Sequence, residues 1–322
     1  MRKTVRIYCL ILALVLPFVW SCDSLIYDDL SDCPHGVNFN FYRQTPCESG
    51  PSYPAAIKQV RVFAFNQQDI LVEEYSASGI ALSSDYLLET PFYQIGTFSF
   101  VAWGGEDLST YNFSAFTKGK TTKQEMLVSI QKQAENNVTV HPKRVFVGVG
   151  DEPLTIEDRT AMGSIFDLVK FNMQELTNRV RFTLHGLSKT DNYSVTITDD
   201  NGVYTIAGDY ASDAPFNYIS PVTRDGDLLK ADFTLMKLAE NRDTRLTITN
   251  TTTGKVEYSV NLVDELIMYK GDSGNPPYRL ECDHDFNIVI VFDKVPDDDS
   301  TYMIVRVTIN DWVVIKRPII LS

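Results

Sequence analysis

The chain is a succession of short runs of β-branched and aromatic residues, each roughly four to eight residues long and bounded by Gly, Pro, Asn or Asp, which is the signature of β-strands. The runs cover residues 37–41, 60–65, 98–103, 138–140, 145–149, 165–171, 180–184, 193–198, 203–207, 246–249, 256–262, 286–292, 303–309 and 312–315. The sequence therefore predicts an all-β fold.

Helical periodicity is confined to short segments. Residues 123–134 give a ragged apolar stripe, and 234–239 and 262–269 give one or two turns. Because strands and helices do not alternate along the chain, antiparallel sheets packed as sandwiches are favoured over a parallel α/β sheet. Asn201-Gly202 separates two of the strand-like runs and predicts that they form a hairpin.

The length of 322 residues suits two domains, at roughly 100–200 residues per domain. Strand signals lapse around residues 156–163 and resume at Val180. We therefore predict two tandem antiparallel β-sandwich domains, residues 36–160 and 161–322. Residues 22–35 precede them and are acidic and turn-rich without apolar periodicity, which is typical of a tether.

The N-terminus carries an export signal. Arg2, Lys3 and Arg6 precede an uncharged apolar run, residues 7–20, which is too short to span a bilayer of about 30 Å and has the flanks of a secretory signal. Ser21-Cys22 then resembles a bacterial lipobox, so we expect cleavage after residue 21 and acylation of Cys22. Several acyl chains anchor a protein stably in a membrane. The alternative is an ordinary signal peptide followed by an incidental cysteine.

Of the five cysteines, three remain if Cys9 leaves with the signal peptide and Cys22 is lipidated, and export permits a disulfide. Cys33 and Cys47 flank the first strand-like run, so a local Cys33–Cys47 bridge is the favoured pairing. The alternative is that Cys33, Cys47 and Cys282 are all free and buried.

The composition disfavours several kinds of chemistry. With 42 acidic residues against 29 Lys and Arg, and a net charge of −13, the protein repels nucleic acid. The spacing in Cys282-Asp283-His284-Asp285 matches no zinc site, and Asp297-Asp298-Asp299 lacks the pattern of a calcium loop. There is no nucleophile elbow or dinucleotide loop. We expect no metal, no cofactor and no catalytic residue, and therefore predict that the protein is not an enzyme.

Several segments resemble the FimB-like and minor-fimbria anchor subunits of type V fimbriae, which are fimbrillin-like lipoproteins of Gram-negative anaerobes. The resemblance spans essentially the whole chain and is most specific between Cys22 and Val37. It is carried by Ser21-Cys22, Ile26-Tyr27-Asp28-Asp29-Leu30-Ser31-Asp32-Cys33-Pro34-His35-Gly36-Val37, Val60-Arg61-Val62-Phe63-Ala64-Phe65 and Ile309-Asn310-Asp311-Trp312-Val313-Val314.

The resemblance implies two transthyretin-like Greek-key sandwiches, a surface-exposed lipid anchor in the outer membrane, and joining to a fimbrial shaft subunit (fimbrillin) by strand complementation. It implies an anchor that holds the fibre on the cell and limits its length. The apolar C-terminal segment is the candidate contact strand: Trp312, Val313, Val314, Ile315, Ile319, Ile320 and Leu321. The alternative is a purely structural role, in which this segment is the last strand of its own sandwich. The alternative functions are a surface adhesin or glycan-binding module and a β-sandwich hydrolase.

The resemblance also raises the question of processing, because an arginine-specific protease removes the lipid-bearing segment from shaft subunits. Arg43 is the first Arg after Cys22. An anchor would keep its lipid if a Cys33–Cys47 bridge held the cut pieces together, or if Arg43 were sterically protected.

Overall fold

The computed structural model describes residues 33–158, 163–267, 278–296, 298–315 and 319–320. Its secondary structure is almost all β, as predicted. The strands of the first half are β1 (His35–Tyr42), β2 (Gln59–Asn66), β3 (Leu71–Ser78), β4 (Leu88–Pro91), β5 (Gly96–Gly105), β6 (Tyr111–Phe113), β7 (Leu127–Ile130), β8 (Asn137–Val138), β9 (Val145–Val149), β10 (Leu154–Ile156), β11 (Ile165–Asn172) and β12 (Gln174–Glu175).

The second half contributes twelve further strands. They are β13 (Thr177–His185), β14 (Tyr193–Asp199), β15 (Val203–Thr205), β16 (Phe216–Ser220), β17 (Thr223–Asp225), β18 (Leu228–Met236), β19 (Arg245–Asn250), β20 (Val256–Asn261), β21 (Asp285–Val295), β22 (Asp298–Ile309), β23 (Trp312–Ile315) and β24 (Ile319–Ile320). Every predicted strand overlaps an observed one.

The first sandwich packs two sheets against each other. One sheet has the strand order β11-β1-β4, and the other has the order β12-β9-β5-β2-β3, with β10 paired to β5. Alternate residues of each strand point into the core between the sheets, as the two-residue period of a strand requires. Phe39 of β1 meets Phe100 of β5 there, with ring centroids 5.3 Å apart.

The second sandwich is built in the same way. Its larger sheet has the order β17-β18-β13-β21-β22-β23, with β24 paired to β22, and its smaller sheet has the order β20-β19-β14-β16-β8. Phe182 of β13 and Phe233 of β18 contact each other edge to face in its core, at 5.8 Å.

The two halves share strands and core. A small sheet of order β15-β7-β6 joins first-half strands to a second-half strand, and β8 pairs with β16. Trp103 of β5 is fully buried, and its indole N–H donates a 2.6 Å hydrogen bond to the Ile206 carbonyl. The change of sheet partners falls between Glu175 and Thr177, because β11 and β12 still pair with the first sandwich. The expected boundary at residue 160 lies earlier in the chain.

The predicted Asn201-Gly202 hairpin is wrong. β14 pairs with β16 and β19, whereas β15 leaves for the small sheet and pairs with β7. Asn201 is fully buried, and its amide donates hydrogen bonds to the carbonyls of Met236 and Lys237. These contacts hold the chain at a crossing between sheets and not at a turn.

Of the three segments with helical periodicity, one contains a helix and two contain strands. Residues 262–269 contain the helix α1 (Leu262–Ile267), whose first turn is capped by Asn261, with a 2.9 Å hydrogen bond from the Val263 N–H to Asn261 Oδ1. The other two predictions are wrong, because 123–134 contains β7 and 234–239 overlaps the end of β18.

Candidate anchoring and assembly site

The first strand is locked into the fold. β1 lies between β11, to which it runs parallel along its whole length, and β4, to which it is antiparallel. Val37, Phe39 and Phe41 have no solvent exposure. Burying each such side chain contributes roughly 1.5–3 kcal/mol, so the segment that follows the lipidation candidate cannot leave without dismantling a core.

Gly36 allows the close approach of β4 to β1. A Cβ at this position would lie 2.0 Å from the Thr90 carbonyl oxygen and 2.6 Å from a Phe166 ring carbon. Thr90 also donates a 2.9 Å hydrogen bond from its hydroxyl to the Val37 carbonyl. Glycine is therefore required where β1 enters the sheet.

Hydrogen bonds and an ion pair hold the backbone and the side chain at the Arg43–Gln44 bond. The N–H and carbonyl of Arg43 both pair with Ser52, at 2.8 and 2.7 Å. Gln44 exchanges two hydrogen bonds of 2.9 Å with the side chain of Asn172. The Arg43 guanidinium forms an ion pair with Glu48, and its side chain is 14% exposed. A protease needs an extended substrate with free backbone groups, so this geometry favours steric protection of Arg43.

The expected Cys33–Cys47 bridge is wrong. Cys47 pairs with Cys282, with the Cα atoms 6.1 Å apart, and Cys33 is a free thiol. β1 explains the difference, since it lies between Cys33 and Cys47 and spans about 3.3 Å per residue. The two cysteines lie beyond its opposite ends, whereas a disulfide needs Cα atoms within about 7 Å. The bridge attaches on the C-terminal side of Arg43, so it would not retain a lipid-bearing piece cut there.

A buried ion-pair network surrounds the place where the chain passes between sandwiches. The Glu175 carboxylate is 2% exposed and accepts two hydrogen bonds from Arg144 and one from Arg179. Burial alone would raise the pKa of Glu175, but the Arg144 hydrogen bonds and the Arg179 charge outweigh it and lower the pKa. Arg179 of β13 also pairs with Asp285 of β21, where its hydrogen bonds lower the pKa of Asp285.

Strand β23 forms an edge of the larger sheet. β23 pairs with β22 through a two-residue turn at Asn310 and Asp311, both with positive φ. β24 pairs with the same strand further along. Among the described residues no strand pairs with the other side of β23, and Trp312 is 57% exposed. The segment therefore forms the last strands of its own sandwich, as the alternative had it. The outer edge of β23 is unpaired among the described residues. Leu321 lies outside the described residues.

One cleft in the described part of the chain has an arginine side chain stacked on an aromatic ring in its lining. It has a volume of about 800 Å³ and lies between the β2–β3 corner and residues 108–116. The Arg61 guanidinium lies 4.1 Å above the ring of Phe113 and forms an ion pair with Glu74. Arg61 therefore covers one face of the Phe113 ring, which is one of the aromatic rings that line this cleft.

The residues around His284 show no metal centre. Cys282 is consumed by the disulfide, and His284 Nδ1 lies 3.5 Å from the Asn178 amide. Burial lowers the pKa of His284. Within the described ranges no group of three or more His, Cys, Asp or Glu side chains could hold a metal ion.

The expected signal peptide, Cys22 and the expected tether up to residue 32 lie outside the described residues, as does Asp297. Across the part of the chain that the structure covers, no helix has the length and apolarity needed to cross a membrane.

Sequence reasoning missed the Cys47–Cys282 pair and the Glu175 network. The three cysteines Cys33, Cys47 and Cys282 allowed either one pair with one free thiol or three free thiols, and nothing local in the sequence pointed to Cys47–Cys282. Glu175 had no local signal, because its partners are separated from it along the chain.

These features define an all-β protein of two packed sandwiches, with a first strand held between two partners and a strand β23 whose outer edge is unpaired among the described residues. The chain belongs to the family of fimbrillin-A associated anchor proteins Mfa1 and Mfa2, whose model matches residues 30–317. The resemblance seen in the sequence is thereby confirmed.

Individual relatives agree with this assignment. The chain is 29% identical over 321 residues to the minor fimbrium anchoring subunit Mfa2 of Porphyromonas gingivalis, which covers 97% of both chains. The solved structure of the fimbrial anchor protein Mfa2 from Porphyromonas gingivalis has a TM-score of 0.76 at 27% identity, covering 88% of this chain and 100% of that one. A putative polysaccharide binding protein from Bacteroides thetaiotaomicron shares the fold, with a TM-score of 0.71 at 21% identity over 88% of this chain and 97% of that one.

Proposed function

We propose that the protein is a non-enzymatic lipoprotein of the outer membrane that anchors a fimbria to the cell surface and limits its length. In this account the chain is cut after Ser21 and acylated on Cys22, and residues 23–32 act as the tether. Membership of a family of anchor proteins supports this role.

The observation that carries the proposal is the locked first strand. An anchor has to keep the segment that bears its lipid, and β1 joins that segment to the first sandwich through two strand partners and three fully buried side chains. The Arg43–Gln44 bond supports the same conclusion. Arg43 is the first Arg after the lipid site, and its hydrogen bonds and ion pair keep the bond out of reach of an arginine-specific protease.

The proposed contact with the shaft lies near the C-terminus of the chain. An open strand edge presents unpaired N–H and carbonyl groups, which an added strand satisfies. We assign the contact to the outer edge of β23, where the side chain of Trp312 adds exposed apolar surface. Strand addition at this edge joins a shaft subunit without removing a strand from the anchor.

The lipid attachment is tested by replacing Cys22. Cys22→Ala should release the protein and its fibres into the medium, whereas Cys33→Ala, which removes the free thiol, should leave both on the cells. The measurement is immunoblotting of outer-membrane and medium fractions for the protein and for bound fimbrial subunits. Wild-type levels of the Cys22→Ala protein in the outer membrane would contradict the proposal.

A further inference from the structure

We propose that the Cys47–Cys282 disulfide is a mechanical bypass that keeps residues 48–281 out of the path of tension between membrane and fibre. The inference rests on the proposed function, in which the lipid pulls at Cys22 and the fibre pulls at β23. A force applied at Cys22 reaches β23 along a covalent path, and the disulfide determines which residues that path contains.

The two cysteines lie at the inner ends of the two elements that would receive the pull. Cys47 follows β1 (His35–Tyr42) closely in the chain, and Cys282 shortly precedes β21 (Asp285–Val295). β21 pairs with β22, and β22 pairs with β23. The covalent route from lipid to fibre therefore runs through β1, across the disulfide, and through β21 and β22 to β23.

The bypassed segment contains most of the fold. The sequence separation of the cysteines is 235 residues. At about 3.4 Å per residue, a chain of this length extends to roughly 800 Å when it is unravelled. The remaining stretches, residues 22–47 and 282–322, extend to roughly 230 Å together at the same 3.4 Å or so per residue.

Part of that remaining length is already extended. β1 is a strand, in which each residue spans about 3.3 Å, so tension along it gains almost no length. Its end is fixed close to the disulfide by the Arg43–Ser52 backbone pair and by the hydrogen bonds between Gln44 and Asn172.

The other end of the disulfide is fixed as well. The Cys282 N–H donates a 2.8 Å hydrogen bond to the Arg279 carbonyl, and the Arg179 N–H donates a 2.7 Å bond to the His284 carbonyl. Arg179 links Asp285 to Glu175, so the ion-pair network lies beside the covalent link. Tension would thus meet a covalent bond where it would otherwise load noncovalent contacts between the halves.

The test is optical-tweezers extension of the purified mature chain, held at its two termini by peptide-tag handles. Oxidised wild-type protein should release no more than roughly 230 Å, the length of the two stretches outside the disulfide loop. Adding reductant to the same folded molecule should release roughly 800 Å more. The double variant Cys47→Ser/Cys282→Ser should release the long extension without reductant, and Cys33→Ser should behave as wild type.

Release of the long extension from oxidised wild-type protein would overturn the proposal. So would free thiols at Cys47 and Cys282 in protein taken from the outer membrane. Reduction of the folded wild-type molecule makes the test independent of whether the double variant folds. The extension measurement uses purified protein, so it can fail while fractionation still supports anchoring, and the reverse also holds.

Discussion

At the scale of single residues, Asp199 is a buried carboxyl that works against the fold at neutral pH. Burial raises its pKa to about 6, although hydrogen bonds from Thr244 and the Asp200 N–H and the charge of Arg242 oppose the rise. A pKa that is higher in the folded state means that the fold favours the protonated form. The resulting loss of folding stability is fully present above about pH 6. It disappears as the pH falls towards 3.8, the ordinary pKa of an Asp side chain.

Asp199→Asn should therefore stabilise the protein at pH 7.5, by on the order of 1–3 kcal/mol, and have little effect at pH 4. The measurement is urea unfolding of variant and wild type at both pH values, so that other titrating groups cancel in the difference. Asp209→Asn, at an exposed position, is the matched control. A gain that is equal at both pH values would show that titration of Asp199 is not its source.

The disulfide shows where residue-level reasoning from sequence stops. Chain-local spacing favoured Cys33–Cys47, but an intervening strand drives those residues apart, and the true partner of Cys47 is 235 residues away. Partners at such separations are brought together by the packing of the sheets. The first strand itself was predictable, because its alternating apolar residues are local to the sequence.

At the scale of elements, local alternation predicted most strands, and the strands that it missed were missed for different reasons. β7 looked helical because short apolar stretches fit either period. Its pairing with β6 and β15 settles the outcome. The missed β18 alternates Leu229, Ala231, Phe233 and Leu235 into the core, so its signal was present in the sequence.

The locked first strand predicts resistance to processing. An arginine-specific protease should leave the Arg43–Gln44 bond of wild-type protein intact, with or without reductant. Gly36→Ala places a Cβ 2.0 Å from the Thr90 carbonyl oxygen, so it should loosen β1 and raise cleavage at Arg43 at least several-fold. The measurement is a denaturing gel over a time course, with N-terminal sequencing of the product.

Gly50→Ala is the control for that experiment, because a Cβ there meets no described atom within 4 Å. It should be cleaved no faster than wild type. Rapid cleavage of wild-type protein at Arg43 would contradict the assignment, since the chain would then behave as a processed shaft subunit.

The open edge of β23 predicts a defect in fibre capture. Trp312→Ala/Val313→Asp should reduce the shaft subunit recovered with the protein at least tenfold, because the added charge and the lost aromatic surface oppose strand addition. Tyr93→Ala removes another exposed aromatic residue, 68% exposed, from the first half and should leave recovery unchanged. Recovery at the wild-type level with the edge variant would place the contact elsewhere.

At the scale of the whole molecule, the halves are more closely joined than tandem domains usually are. The sequence predicted two sandwiches, but the shared sheet and core join residues from both halves and were invisible to local patterns. The Trp103–Ile206 hydrogen bond is one such contact. Local sequence patterns indicate many of the strands but not the sheets and the core that the two halves share.

Trp103→Ala should consequently weaken both halves together. Removing this fully buried side chain should cost about 3–5 kcal/mol, the range for large-to-small core changes. Hydrogen exchange should then show faster amide exchange both in β2 and β5 and in β14 and β16. Faster exchange confined to the first sandwich would mean that the halves unfold independently.

The most direct test of the anchoring account is intact mass spectrometry of the protein extracted from outer membranes together with its fibres. The account predicts a chain that begins at an acylated Cys22 and continues without a break through Arg43. A chain that begins at Gln44, without lipid, in the fibre-bound fraction would contradict it.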